Sequence, residues 1–373
     1  MNASYWRGRQ ADVFCTVVDN FGDAGVCWRL SRRFAALGLR VRLIIDRPEL
    51  LDWMAPAALR PDGVAITPWA EVERMPEERI RPADLVVETF GCRIPERYER
   101  ALAREREAAL PRGERPSFYF NLDYLSAEDW VESSHDVWGL HPTLPIRKLW
   151  FFPGFTDRTG GVVVESEYEE EAKSFRARRA EALEALGADP ARRTLYYFAY
   201  PENPAEALAE ALRRVERPMN VLAAPGAGGD ALERSLAGSL HRVVRTGYRP
   251  QSEFDRLLWA SDAAVVRGED SFVRAQLAGI PFLWSIYPTE DGAHFVKLDA
   301  WLGRLEPFFA EKARAERYEA LARGWVKGEP DLGALTEFLE GVEDRAAFEA
   351  WGASIRRRGD LAARMLERAE LGE

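Results

Sequence analysis

The chain has 373 residues, 47% hydrophobic and 30% charged, with 51 basic against 61 acidic side chains and a formal charge of −10. That length exceeds what one hydrophobic core usually serves, so two domains are expected. The acidic balance disfavours wrapping nucleic-acid phosphate, no stretch approaches the roughly 18 apolar residues of a membrane helix, and no signal-peptide core follows the first residues; a cytoplasmic protein without nucleic-acid or membrane partners is expected.

In chain order, residues 12–18 (Asp-Val-Phe-Cys-Thr-Val-Val) read as a buried strand and residues 26–38 as a helix closed by Gly38. Between them Asp19-Asn20-Phe21-Gly22-Asp23-Ala24-Gly25 sets two carboxylates four positions apart in a glycine-kinked turn. Strand carboxyl ends of open parallel sheets face the ligand crevice, so Asp19 and Asp23 are candidate chemical groups. Further strands are expected at 41–45, 85–88, 118–122 and 148–152, with a helix over 95–110. Residues 121–126 and 130–141 form a loop-rich aromatic and acidic stretch suited to a macromolecular acceptor or to an irregular packed connection.

The charged run 165–186 reads as a solvated helix near the domain boundary. Short apolar runs at 195–200, 219–224, 242–244, 263–266 and 282–287 then alternate with amphipathic segments, which implies a parallel sheet covered on both faces. The fold class expected is α/β, with two Rossmann-like domains facing a cleft. Residues 1–160 form the N-terminal domain, 161–189 a linker helix and 190–345 the C-terminal domain. The helical tail 346–373 packs on either half. Cys15, Cys27 and Cys92 lie in apolar settings without paired spacing, and the four histidines are scattered; no disulfide framework, metal or cofactor is expected.

The second informative segment is Arg267-Gly268-Glu269-Asp270-Ser271. A buried strand ends there, a glycine turn follows, and a helix begins with Asp270 or Ser271 near its N-cap, which makes an anion site with Arg267 as a charged contact. Asp270 suits a capping or sugar-hydroxyl role, and Glu269 a sugar hydroxyl or a cationic acceptor. Phe198, Tyr200 and Phe254 are candidates for stacking a base, and Gln251 carries the paired donor and acceptor that read a pyrimidine edge. No Gly-x-Gly-x-x-Gly or Walker loop is present, while Gly226-Ala227-Gly228-Gly229 after a strand is either a second phosphate turn or a flexible connection.

These segments resemble the protein-arginine rhamnosyltransferases that modify bacterial translation elongation factor P. The resemblance rests on the run from Val17 to Leu30, on Phe151-Phe152-Pro153-Gly154-Phe155-Thr156, on Arg267 to Gln276, and on Ile286-Tyr287-Pro288-Thr289-Glu290-Asp291 with His294, Lys297, Leu298 and Asp299. It implies a two-Rossmann (GT-B) glycosyltransferase that moves rhamnose from dTDP-β-L-rhamnose to an arginine of elongation factor P, with inversion and without a metal. The family's proposed base falls on Asp23, its first motif aspartate on Asp19 and its motif glutamate on Glu269. Its nucleotide-sugar contacts fall on Phe198, Tyr200, Gln251, Phe254, Arg267, Asp270 and Ser271, with Asn20, Phe21, Gly22 and Glu269 placed beside them. Thr289 and Gly292 depart from the family pattern. A GT-B transferase with a small-molecule acceptor and a non-catalytic module binding a nucleotide sugar or the elongation factor are the alternatives.

Overall fold

A computed structural model describes residues 3–341 and 345–372. The chain divides into two compact units, one made of residues to Glu165 plus those from Arg358 onward, the other of Ser166–Arg357.

The first unit is built on a seven-stranded sheet of order β3-β2-β1-β4-β5-β7-β6, with β1 Gln10–Cys15, β2 Arg40–Ile45, β3 Val64–Pro68, β4 Leu85–Thr89, β5 Phe118–Leu122, β6 Val137–Leu140 and β7 Arg147–Phe151. All pairs are parallel except β6 with β7. Strands covered on both faces read as continuous apolar runs, which is why β1, β2, β4 and β5 are visible in the sequence. One face packs Val13, Leu43, Val87 and Phe120 against Cys27, Trp28 and Phe34 of the helix Asn20–Ala36. The other packs Phe14, Ile44, Val86 and Tyr119 against Tyr98 and Leu102 of the helix Glu96–Ala109.

Two edge elements lie outside the expected set. β3 ends in Pro68, which an edge strand tolerates and a central one does not. β6 falls in the stretch read as irregular, and its Val137 and Leu140 are exposed. The run 165–186 forms two helices, Tyr168–Arg176 and Arg179–Ala185.

The tail drawn as one helical segment, 346–373, is two helices. Arg345–Arg357 belongs to the second unit, where the Trp351 indole donates to Gln276 Oε1 at 2.7 Å and Phe348 meets Phe282 at 5.7 Å. Gly359, at φ +94°, breaks the chain direction, and Asp360 caps the next helix, Leu361–Leu371, by accepting the Ala363 N–H at 3.0 Å. That helix buries Leu361, Met365 and Leu366 in the first unit's core, about 1.5–3 kcal/mol for each large side chain. Asp360 also meets Arg33 Nε at 2.9 Å, tying the end of the chain to the helix that follows β1.

The second unit holds a five-stranded parallel sheet of order β10-β9-β8-β11-β12: β8 Thr194–Tyr197, β9 Asn220–Ala223, β10 Arg242–Arg245, β11 Ala263–Arg267 and β12 Phe282–Ser285. In both sheets the order of the parallel strands reverses once, between β1 and β4 in the first and between β8 and β11 in the second. Such reversals leave a crevice at the strand carboxyl ends, where ligands of open α/β sheets bind. Among the described residues no helix is long and apolar enough to cross a membrane.

Candidate active site

In the first unit, β1 stops at Cys15 rather than at Val18, and the following helix begins at Asn20 rather than Val26. Three backbone N–H groups explain the early stop. Val17 donates to Asp46 Oδ1 at 3.0 Å, and Val18 and Asp19 both donate to Asp23 Oδ2 at 2.8 Å, so side-chain carboxylates satisfy groups that a longer strand would give to its neighbours. Val18 is consequently exposed.

The expected glycine-kinked turn is therefore the first turn of the helix, with Asp19 at its N-cap. Gly22 permits this closure, because a Cβ there would stand 2.7 Å from Asp19 Oδ2. Phe21 does not stand out in solvent; its ring meets Trp53 edge-on at 5.0 Å. The Asn20 side chain lies outside the described residues.

Asp23 is 3% exposed. Burial raises its pKa above the ordinary carboxylate range, the two backbone N–H donors pull it down in part, and the neighbouring Asp19 and Asp46 carboxylates push it up again. The result is a carboxylate held at a strand carboxyl end with one oxygen fixed by the backbone and a stronger hold on a proton than a surface aspartate.

In the second unit, the segment after β11 forms a helix, Glu269–Ala278, whose N-cap is Gly268 rather than Asp270 or Ser271. Gly268 adopts φ +62°, ψ −168°, a conformation essentially confined to glycine, and its carbonyl accepts the Trp284 indole N–H at 3.2 Å. Ser271 is buried, and its hydroxyl accepts the Arg267 N–H at 3.1 Å while donating to the Arg267 carbonyl. Its hydroxyl thus fixes the turn. Glu269 opens the helix in a half-buried position.

Phe198 and Tyr200 follow β8, the strand beside β11, and both rings lie against the Arg267 guanidinium, with its carbon 4.4 and 4.7 Å from their centroids. The two rings expected to stack a base hold the arginine expected to meet phosphate. Phe254 meets Tyr196 edge-on at 5.7 Å. Gln251 Nε2 donates to Asp270 Oδ2 at 3.0 Å, so the residues expected to read base and sugar are bonded to each other.

Sequence reasoning missed what brings them together. Asp255 and Arg274 form a buried two-point ion pair, Nε to Oδ1 at 2.6 Å and Nη2 to Oδ2 at 2.8 Å, clamping the helix Gln251–Trp259 to Glu269–Ala278. Removing one partner of such a pair typically costs about 3–5 kcal/mol. Only the presence of Arg274 inside the run from Arg267 to Gln276 signalled it.

A glycine-capped helix with an arginine at a sheet's reversal point suits a diphosphate, and a buried aspartate at the other sheet's reversal point suits proton transfer. Comparison with known proteins gives the family. The family described as elongation-factor P (EF-P) rhamnosyltransferase EarP matches residues 11–370. The chain belongs to that family.

A protein-arginine rhamnosyltransferase of Pseudomonas aeruginosa is 36% identical, covering 95% of this chain and 97% of its own, and one of Pseudomonas putida is 38% identical over 91% and 90%. A solved structure described as the structural basis for EarP-mediated arginine glycosylation of translation elongation factor EF-P superposes with a TM-score of 0.62 at 27% identity, covering 97% of this chain and 99% of the other. Os79 from O. sativa, solved in complex with UDP, shares the fold at 12% identity, with a TM-score of 0.52 and coverage of 96% and 99%. The chain is a glycosyltransferase of the two-Rossmann, GT-B type.

Proposed function

We propose that the protein transfers rhamnose from dTDP-β-L-rhamnose to an arginine side chain of translation elongation factor P, inverting the anomeric centre. The observation that supports this most directly is Asp23, a buried carboxylate with raised pKa in a chain whose family match runs almost from end to end. In this reading the second unit holds the donor. The positive end of the helix Glu269–Ala278 and Arg267 receive the diphosphate, and their charge stabilises dTDP as it leaves, a task for which the mechanism calls on no metal. Gln251, Asp270, Phe254 and Glu269 shape the sugar and base sites.

The acceptor is a poor nucleophile, because a guanidinium is delocalised and its pKa lies above about 12. Even a raised aspartate stands several pK units below it, so outright deprotonation before attack is excluded as the main source of rate. Asp19 and Asp23 orient the guanidinium and concentrate density on one terminal nitrogen. That nitrogen forms the bond to the anomeric carbon as the bond to the dTDP oxygen breaks, and its proton passes to Asp23. Positioning and charge stabilisation carry more of the acceleration than basicity.

The test is intact-protein mass spectrometry of purified elongation factor P incubated with the protein and dTDP-rhamnose. The expected result is a gain of one deoxyhexose per chain, localised to an arginine by fragmentation; an unmodified factor overturns the proposal. A second measurement addresses the donor side. Lysine lacks the planar face that Phe198 and Tyr200 hold, so Arg267→Lys is expected to weaken calorimetric dTDP binding about tenfold despite its conserved charge. Unchanged affinity would remove Arg267 from the phosphate site.

A further inference from the structure

The loop that follows β4 is not used by the mechanism above, yet its construction is unusual. Phe90 and Arg93 both have positive φ, +54° and +49°, with Gly91 at +64° between them. L-residues with side chains occupy this region only when their surroundings impose it. Here the surroundings are identifiable: the Phe90 N–H donates to the Leu122 carbonyl at 2.8 Å, and the Arg93 N–H to the buried Glu88 carboxylate at 3.2 Å, itself paired with Lys148 Nζ at 2.8 Å.

The loop presents two features. Phe90 stacks on Tyr124 from the loop after β5, with centroids 4.5 Å apart and planes 16° from parallel. Arg93 is exposed, and it forms no ion pair among the described residues in a chain where acids outnumber basic groups by ten. The position is informative. β4 is the neighbour of β1 across the sheet's reversal point, and Thr89 Oγ1 lies 3.3 Å from Cys27 Sγ, on the helix that carries Asp23. The imposed loop therefore follows the carboxyl end of the strand next to the one that leads into the Asp19–Asp23 turn.

We infer that the Phe90–Tyr124 stack and Arg93 form an acceptor-reading surface, which takes the protein segment flanking the target arginine and binds a carboxylate on that segment through Arg93. The inference rests on the proposed function. In a strongly acidic enzyme, general attraction favours a basic acceptor, and an exposed arginine in a fixed backbone setting adds selection for a particular acid next to it. Phe90 and Tyr124 are both half-buried, Phe90 against the unit's core, and the accessible part of the stack supplies a rigid apolar contact for the same segment. Asp123, in the loop after β5, accepts the Tyr124 N–H at 2.7 Å.

Steady-state kinetics with elongation factor P as the varied substrate test this. Arg93→Glu and Tyr124→Ala are each expected to raise KM for the factor by about tenfold, with kcat and calorimetric dTDP affinity within about twofold of the parent; Arg93→Lys, which keeps the charge, is expected to restore most of the loss. Thermal unfolding of each variant identifies any that fail to fold, and Tyr124→Ala carries the test if Arg93→Glu does. Unchanged KM for the factor in correctly folded variants, or a fall in kcat at constant KM, overturns the inference. Failure of the parent protein to modify the factor overturns the proposed function instead, so the two results are separable.

Discussion

Asp23→Asn is expected to lower kcat for rhamnosyl transfer by about a thousandfold, within the usual range for loss of a positioned proton acceptor, while dTDP affinity stays within about twofold. Asparagine is the informative replacement because its carbonyl oxygen can still accept the Val18 and Asp19 N–H groups that Asp23 Oδ2 accepts at 2.8 Å. The first turn therefore keeps its shape while the charge and the proton site are lost. Alanine would remove both and confuse chemistry with folding.

The same residue fixes the sign of two pH effects. Burial raises the Asp23 pKa above its unfolded value, near 3.9 for an ordinary aspartate. Activity needs the ionised form, so kcat/KM should fall as pH drops through a limb displaced upward from the usual carboxylate position. Stability runs the other way: a group with a raised folded pKa contributes stability fully present below its unfolded pKa and lost as pH rises through the folded one. The parent Tm thus carries a downward component with rising pH across that window, which Asp23→Asn should lack, leaving the variant no less stable than the parent at pH 8. Appreciable turnover by the variant, within tenfold of the parent, would sink the assignment.

Asp23 is legible in the sequence as an acid, but its burial is not. The strands β1, β2, β4 and β5 were legible because burial on both faces demands continuous apolar runs; the two reversal points depend on strand order, which local pattern does not contain. The identity of Asp19 and Asp23 as strand-end acids was equally legible. Their setting was not. Val17 and Val18 look like strand because their side chains are apolar, but their N–H groups are claimed by carboxylates 29 and 5 positions away, a fact local pattern does not contain. Gly22 reads as a kink, whereas in the folded chain it is the space into which Asp19 closes.

The second unit shows the same division. Phe198, Tyr200 and Arg267 each read as candidate site residues from their places at strand ends. That the rings hold the arginine depends on β8 pairing with β11, a long-range register. The Gln251–Asp270 hydrogen bond likewise depends on the Asp255–Arg274 clamp between two helices. The positive φ of Arg93 left no trace in composition or periodicity, because it is imposed by Glu88 rather than chosen by the residue.

Gly268→Ala is expected to weaken dTDP binding by about a hundredfold, the upper part of what one residue of backbone strain, about 1–3 kcal/mol, can impose. At φ +62°, ψ −168° an alanine must either bear that strain or rotate the turn, and rotation moves the helix N-terminus together with the Arg267 backbone that Ser271 holds. Gly226 provides the matched control. It caps the helix Ala227–Ser235 at φ +116°, ψ 171°, also in glycine territory, and it heads the other glycine run that follows a strand. Behind it, Gly228 and Gly229 admit no Cβ, since one would stand 2.5 Å from the Ala199 carbonyl oxygen and the other 2.2 Å from that of Ala224; those glycines are required by close backbone packing. Gly226→Ala should therefore lower Tm to a similar degree but leave dTDP affinity near that of the parent. Calorimetry on both variants decides between the two turns: a binding loss confined to Gly268→Ala assigns the diphosphate to the helix after β11, and a loss confined to Gly226→Ala would move it to the helix after β9 and take Arg267 out of the donor site with it.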